Sequence, residues 1–414
     1  MFLMAPLAAC LLALISVCVA PSAQADEVPD PRADCVRVTL DGREVCAVFT
    51  VEADPDAEEM VKRRDAAVAA EASLDATDAE ISAAVVDVPK ICIDSAKDIT
   101  LKYNRTNICY AGLGEFSFVD LTTWEEIGHI KFNFWQFSIL DRLDLTFSNH
   151  WEVMPYYMTG AAVGAQMVAS ASCNSYCSLA AGGGTAKSKT MAIDKLVRWE
   201  TKATSKVAAS KVSKYNKVDW AAQILPIGGT PSEYFPTVNK NIRCDRTLPG
   251  HKKGGCVVAS FVPTITFAEA DYPQYYSHVL RSIGNGSPSR LTRMANASLK
   301  KKNGSKACPS HWPRPTIDHE CDEFPMRSTY EGAYTAAGQD ANGDWKGTAI
   351  GRTFKGCGIT ALKTGTVPGA QWSSCMIDKD QNQAAGQKVK NFYLQQRLLD
   401  RDPYKVALKA KAAQ

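Results

Sequence analysis

The residues best suited to chemistry lie in the stretch Cys321-Asp322-Glu323-Phe324-Pro325-Met326-Arg327-Ser328-Thr329-Tyr330-Glu331-Gly332. It sets two adjacent carboxylates before a proline and a third ahead of a glycine. A second stretch, Met376-Ile377-Asp378-Lys379-Asp380-Gln381-Asn382-Gln383-Ala384-Ala385-Gly386, answers it further along. Carboxylate and amide oxygens are hard donors of the kind that Mg²⁺ or Mn²⁺ takes. Such a cation offsets the charge that develops on a phosphate and its leaving oxygen, while a carboxylate or His accepts a proton from water. A neutral ligand such as Asn382 leaves the cation more of its Lewis acidity. The expectation is a small metal site that hydrolyses phosphodiesters. A glycosidase reading of the carboxylate pair is weaker: residues 322 and 323 are adjacent, point to opposite faces of a strand, and make a poor acid/base couple across a sugar.

Elements must hold these groups. Glu323 to Met326 reads as a short strand or sheet edge, because Pro325 cannot donate to a ladder. Gln381 to Leu399 reads as a helix with Asp380 as its N-cap. Its buried face is marked by Val389, Phe392, Tyr393, Leu398 and Leu399. Arg401-Asp402-Pro403 stops the helix, and Tyr404 to Leu408 reads as a final strand.

The run Cys-Asp-Glu-Phe-Pro-Met, then Tyr-Glu-Gly, then Asn-Gln-Ala-Ala-Gly and a helix ending in Leu-Leu-Asp-Arg-Asp resembles the NucA/NucB deoxyribonuclease domain, a family of secreted, metal-dependent bacterial DNases. The resemblance covers residues 307–414. It implies a small fold similar to the ββα-metal nucleases, with an acidic residue where those enzymes carry a catalytic His. It implies catalytic roles for Asp322 as general base, Glu323 as its neighbour, and Glu331 as a holder of metal or water. By the same resemblance Asn382 and Glu331, and less directly Asn391, would ligate one Mg²⁺ or Mn²⁺. Arg327, Lys379 and Gln383 would contact DNA. His319, three residues before Asp322, is an alternative local base.

The remainder of the 414-residue chain reads as delivery and scaffold. An apolar run from Met1 to about Ala20, followed by Ala23-Gln24-Ala25, suggests a secretory signal peptide over 1–25, with an uncleaved anchor as the rival. No later segment has the apolar length of a membrane helix, so the expected product is secreted, free of the membrane and monomeric. Twelve cysteines follow the signal. An even count in an exported chain implies disulfides. The simplest pairing runs in sequence order, 35–46, 92–109, 173–177, 244–256, 308–321 and 357–375. A zinc site at Cys173-x-x-x-Cys177 lacks a nearby His or a second pair with the right spacing.

The net charge of +3 hides an asymmetry. Residues 26–90 carry 17 acidic against 7 basic residues, which leaves about +13 on the rest. A basic body suits a polyanion. Val36 to Leu40 and Glu44 to Val48 alternate around Asp41-Gly42, which is a hairpin signal. Residues 54–82 read as a helix with Asp54 as N-cap and Pro55 at its first position. The segment 26–88 is therefore expected to be an acidic hairpin-and-helix leader, read either as a solvated helix or linker or as a mask that lowers activity. Residues 89–270 alternate aromatic and β-branched side chains with polar ones and suggest a β-rich, sandwich-like domain. The nine Lys and Arg between Lys187 and Lys217, with Trp199 and Tyr215 interleaved, suit either a solvated strand face or a phosphate-tracking surface. Residues 271–306 read as a linker into a domain over 307–414. The expected fold class is α+β, and the expected function is a secreted endonuclease acting on DNA. The rival is a non-catalytic exported module that binds a polyanion or cell-wall polymer.

Overall fold

In the computed structural model, residues 35–75, 86–235, 237–248 and 253–411 are described. The expected signal peptide, the first residues of the acidic leader and the end of its predicted helix lie outside them. The architecture is mixed α+β and rich in strand, with two principal cores.

The first unit contains β1 (Val36–Leu40), β2 (Arg43–Glu52), α1 (Ala57–Asp75), α2 (Ile91–Asp98), β3 (Lys102–Tyr103), β4 (Asn107–Asp120), β5 (Glu126–Ile139), β6 (Thr146–Gly160), β7 (Gln166–Cys173) and β8 (Cys177–Leu179). It continues through β9 (Lys187–Thr190), β10 (Val197–Ser205), β11 (Val212–Asn216), β12 (Val218–Leu225), β13 (Ile242–Asp245) and β14 (Gly255–Val257). The main sheet runs β1-β2-β4-β5-β6-β10-β8, with β3 on β4. Period-2 alternation splits its side chains between two cores. Phe116, Phe132, Phe134 and Trp151 pack with Met167, Trp220 and Ile224 of the β12-β7-β9 sheet. Cys109, Ala111, Trp135 and Phe137 face Met60 of α1 and Cys92 of α2. The central strand β5 is thus buried on both faces, which explains its aromatic density.

The acidic segment is part of this unit. Its hairpin joins the sheet through β2, which pairs antiparallel with β4 from Val45↔Asp120 to Glu52↔Leu113. Its helix is held by Arg64, buried against Glu152 with Nε–Oε2 and Nη2–Oε1 both at 2.8 Å. These contacts make the described part of the acidic segment structural: β2 extends the sheet, and Ala57 and Met60 of α1 are packed into a core.

The second unit holds β15 (Thr264–Ala268), α3 (Pro273–Gly284), β16 (Arg290–Thr292), α4 (Ala297–Ala307), β17 (His319–Phe324), β18 (Ile350–Arg352), β19 (Ala370–Asp378), α5 (Lys379–Gln395) and β20 (Pro403–Lys409). Its two sheets are β15-β20-β16 and β17-β19-β18. The stretch 271–306 is not a linker: Tyr275, Val279 and Leu291 lie in the second core. This unit begins before residue 270, since β15 pairs in parallel with β20. Helix α5 starts earlier than expected, with Asp378 rather than Asp380 as cap; Asp378 Oδ1 accepts the Gln381 N–H at 2.9 Å.

Six disulfides, 35–46, 92–109, 173–177, 244–256, 308–321 and 357–375, follow the sequence-order pairing. A buried ionic cluster joins the two units. Arg243 Nη1 donates to both oxygens of Asp402 at 2.6 and 2.7 Å, and Arg105 Nη2 reaches Asp402 Oδ2 at 3.2 Å. Arg397 crosses the other way, with Nε to Asp245 Oδ2 at 2.8 Å and Nη2 to Asp245 Oδ1 at 2.9 Å. Three guanidinium groups thus share two carboxylates. Burial, and then the neighbouring Arg243, hold the Arg105 guanidinium down at about 10.

Two outcomes follow. Asp402→Ala leaves Arg105 and Arg243 buried without their carboxylate and is expected to cost about 3–5 kcal/mol in equilibrium urea unfolding; an unchanged midpoint would contradict the role given to the cluster. Deleting 26–88 opens the β4 edge and uncovers Trp135 and Phe137. The expected product has lost its near-ultraviolet circular dichroism and self-associates, rather than being a folded and activated protein.

Candidate active site

The two motif stretches meet at one cleft of about 1050 Å³ in the second unit. Strand β17 supplies Glu320, Cys321, Asp322 and Glu323 to its floor. Helix α5 supplies a wall at helical spacing through Asn382, Gly386, Val389, Lys390 and Tyr393. The lining also carries Arg293, Lys300, Arg314 and Arg327. No residue of the 35–75 segment lines it.

Strand β17 pairs antiparallel with β19, and Asp322 stands opposite Cys375. Two disulfides anchor beside that point: Cys321 bonds Cys308 and Cys375 bonds Cys357. The chain order is β17, a long connection that carries the short strand β18, the strand β19 antiparallel to β17, then the helix α5, whose N-terminus follows β19 without a break.

Asp322 is only 5% exposed. Its Oδ2 is 2.6 Å from His278 Nδ1, and His278 Nε2 is 2.9 Å from Ser373 Oγ. Ser373 in turn donates to Ser282 Oγ at 2.9 Å, and Ser282 to Ser287 Oγ at 2.8 Å. The imidazole is thus held at both nitrogens, by the Asp322 carboxylate and the Ser373 hydroxyl. A carboxylate held in this way has one oxygen engaged and the other left for the cleft.

His278 escapes a motif-based reading because it lies far upstream, in the stretch taken for a linker. The available signal was its helix: Tyr275, His278, Val279 and Ser282 stand at i, i+3, i+4 and i+7 and are all buried. His319, the alternative base, hydrogen-bonds Thr316 Oγ1 at 2.7 Å and does not line the cleft.

Glu323 is partly accessible on the floor, where Oε1 accepts the Arg327 N–H at 3.2 Å. Loss of water around it, and then the charge of Asp322, push its carboxyl up to about 7 against the pull of Arg327. Tyr275 Oη is buried beside the two carboxylates without a hydrogen-bond partner. Burial, then Asp322 and Glu323, raise its pKa well above the usual value, so it remains a phenol.

Two of the expected metal ligands are placed elsewhere. Glu331 Oε2 accepts the Thr292 N–H at 2.9 Å and is not in the cleft lining. Asn391 is exposed on another face of α5, hydrogen-bonded to Gln387 at 2.8 Å. The Tyr330-Glu331-Gly332 run serves the loop instead. Tyr330 Oη donates to Asp400 at 2.9 Å, and a Cβ on Gly332 would come within 2.3 Å of the buried Asn303 amide. Lys379 is exposed and off the cleft, whereas Arg327 and Gln383 line it.

Among the described residues no three His, Cys, Asp or Glu side chains converge as a metal cluster. What meets beside the cleft is one carboxylate and two amides: the Asn382 amide donates to Glu320 Oε2 at 3.3 Å and the Gln383 amide to Oε1 at 3.0 Å. To hold a hard cation there, both amides would have to turn so that their oxygens rather than their N–H groups face Glu320. Glu320 is the acidic residue the sequence reading passed over. It shares a strand face with Asp322 by period-2 alternation.

Comparison with known proteins gives no match: no family model matches the chain, and no curated protein matches it.

Glu323 generates a stability prediction. The folded protein binds this proton more tightly than the unfolded chain, whose Glu titrates near 4.5. Stability should therefore fall as pH rises from about 4.5 to about 7. Glu323→Gln is expected to flatten the thermal midpoint across that window; an unchanged slope would contradict the raised carboxyl.

Proposed function

We propose that the protein is an exported, metal-dependent endonuclease that hydrolyses DNA phosphodiester bonds, with its catalytic centre in the second unit. The observation that carries this reading is the convergence of Asp322, Glu323, Asn382, Gln383 and Arg327 on one cleft whose lining also includes Arg293, Lys300, Arg314 and Lys390. The strand-strand-helix order through β17, β19 and α5 agrees with the ββα-metal arrangement implied by the resemblance to NucA/NucB nucleases. A mere polyanion binder gains nothing from carboxylates beside a phosphate.

In this reading Asp322 accepts the proton of the attacking water, with His278 holding its other oxygen and Ser373 holding His278. Tyr275 and Glu323, the latter protonated over part of the neutral range, offer hydrogen bonds without adding full negative charge near the phosphate. Glu320 and Asn382, with Gln383 beside them, would hold one Mg²⁺ or Mn²⁺. When bound, the cation supplies Lewis-acid stabilisation of the charge on the phosphoryl and leaving oxygens. Arg327, Lys390 and Arg314 attract the backbone, so binding should weaken steeply with salt.

The apolar N-terminal run and the six disulfides, which suit an oxidising compartment, support the export part of this reading. Among the described residues no helix is long and apolar enough to cross a membrane.

Supercoiled plasmid incubated with the purified mature chain tests the reading. Nicking with Mg²⁺ or Mn²⁺, suppressed by EDTA and restored by adding the metal back, is expected. Intact plasmid under all metal conditions, from a chain with the expected circular dichroism, would overturn it.

A further inference from the structure

Arg293 has no role in the scheme above, yet its setting is unusual. It is only 9% exposed, and its guanidinium lies 5.0 Å from the centre of the Tyr393 ring. Its Nε and Nη1 are buried without a hydrogen-bond partner, and no carboxylate lies within salt-bridge distance of it among the described residues. An unpaired buried charge is costly and normally finds a counter-ion.

The backbone around Arg293 is fixed. Its N–H donates to the Asp402 carbonyl at 2.9 Å, and its own carbonyl accepts from the Arg401 N–H at 2.8 Å. Tyr393, the ring beneath it, is held by hydrogen bonds to Ser328 Oγ at 3.0 Å and Tyr404 Oη at 2.9 Å. The guanidinium is thus presented rather than left loose.

Two further cations line the same cleft, Lys300 and Arg327. They are close enough to act on one another: burial first, and then the charge of Arg293, lower the Lys300 pKa, Asp400 pulls it back up, and Arg327 adds a smaller downward push. The Arg327 backbone is tied to α4 through its carbonyl, which accepts from Asn303 Nδ2 at 3.0 Å. The cleft lining thus carries Arg293, with two donors that nothing in the protein satisfies, together with Lys300 and Arg327.

We propose that Arg293, Lys300 and Arg327 form a subsite for a tetrahedral oxyanion, a backbone phosphate of the substrate next to the one being cut, with Arg293 as its buried anchor. The inference rests on the nuclease reading for the identity of the polymer, but not for the anion. A guanidinium is a strong donor to a phosphate oxygen, and the Tyr393 ring fixes its plane. The subsite sets where the strand lies relative to Asp322, so Arg293 is a positioning residue.

The test uses the full mature chain carrying Asp322→Asn, which removes the base, with inorganic phosphate and a short single-stranded DNA titrated separately by calorimetry. Arg293→Gln is expected to weaken phosphate binding tenfold or more, Arg293→Lys to weaken it less, and Lys300→Gln to weaken it severalfold. For the oligonucleotide, Arg293→Gln should reduce the slope of log K against log salt by about 0.7, one phosphate contact's worth. Phosphate affinity and salt slope both unchanged in Arg293→Gln and Lys300→Gln would overturn the subsite. Should Arg293→Gln fail to fold, the Lys300→Gln result decides. Arg293-dependent phosphate binding in a chain that does not nick plasmid would retain the subsite while the nuclease reading falls. Nicking by a wild-type chain whose phosphate binding ignores both substitutions would do the reverse.

Discussion

The hydrogen bond between Asp322 and His278 is the constraint on which the second unit depends. Each group is buried, and each would be expensive to bury alone. Paired at 2.6 Å they tie strand β17 to helix α3, and through Ser373 they tie both to strand β19. The same contact fixes which oxygen of Asp322 remains for the cleft. Structure and chemistry therefore share one interaction, and the serines behind it keep the polar chain satisfied within an otherwise apolar core.

The rest of the second unit holds that contact steady. The Cys308–Cys321 and Cys357–Cys375 bridges fix the ladder beside and opposite Asp322. Asn303 gathers the loop after β17 by accepting from the Tyr334 N–H at 2.8 Å and donating to the Arg327 and Thr329 carbonyls at 3.0 and 3.1 Å. The segment following α5 then docks on the β-rich unit through Arg397, Asp402 and their buried partners. That cluster puts the segment that follows helix α5 and the first unit in direct contact. It is a reason for the large β-rich unit to matter to the site without lining it.

Some of this was legible in the sequence. The six cysteine couples are close in sequence, so short loops could be paired in order. The hairpin around Asp41-Gly42 and the α5 helix carried local signals that tertiary packing did not override. What was not legible depended on contacts between distant segments. His278 gives no local hint of Asp322, 44 residues away. Glu331 and Asn391 sat at motif positions and invited functional roles, but the fold uses Glu331 to accept a backbone N–H and turns Asn391 off the cleft. Glu320 was overlooked because the adjacent Asp322-Glu323 pair drew the eye, although strand alternation puts Glu320 and Asp322 on one face. The stretch 271–306 was misread because its glycines, serines and lysines resemble a linker; its apolar residues Tyr275, Val279 and Leu291 are few but lie in the core.

The most direct measurement of the central claim is single-turnover cleavage of a labelled DNA duplex by Asp322→Asn, with binding of the same duplex measured in parallel. If Asp322 is the base in this cleft, cleavage should fall by roughly a hundredfold or more, the scale of general-base catalysis, while affinity stays within about twofold. Cleavage at the wild-type rate would contradict the account and move the chemistry away from the Asp322–His278 pair.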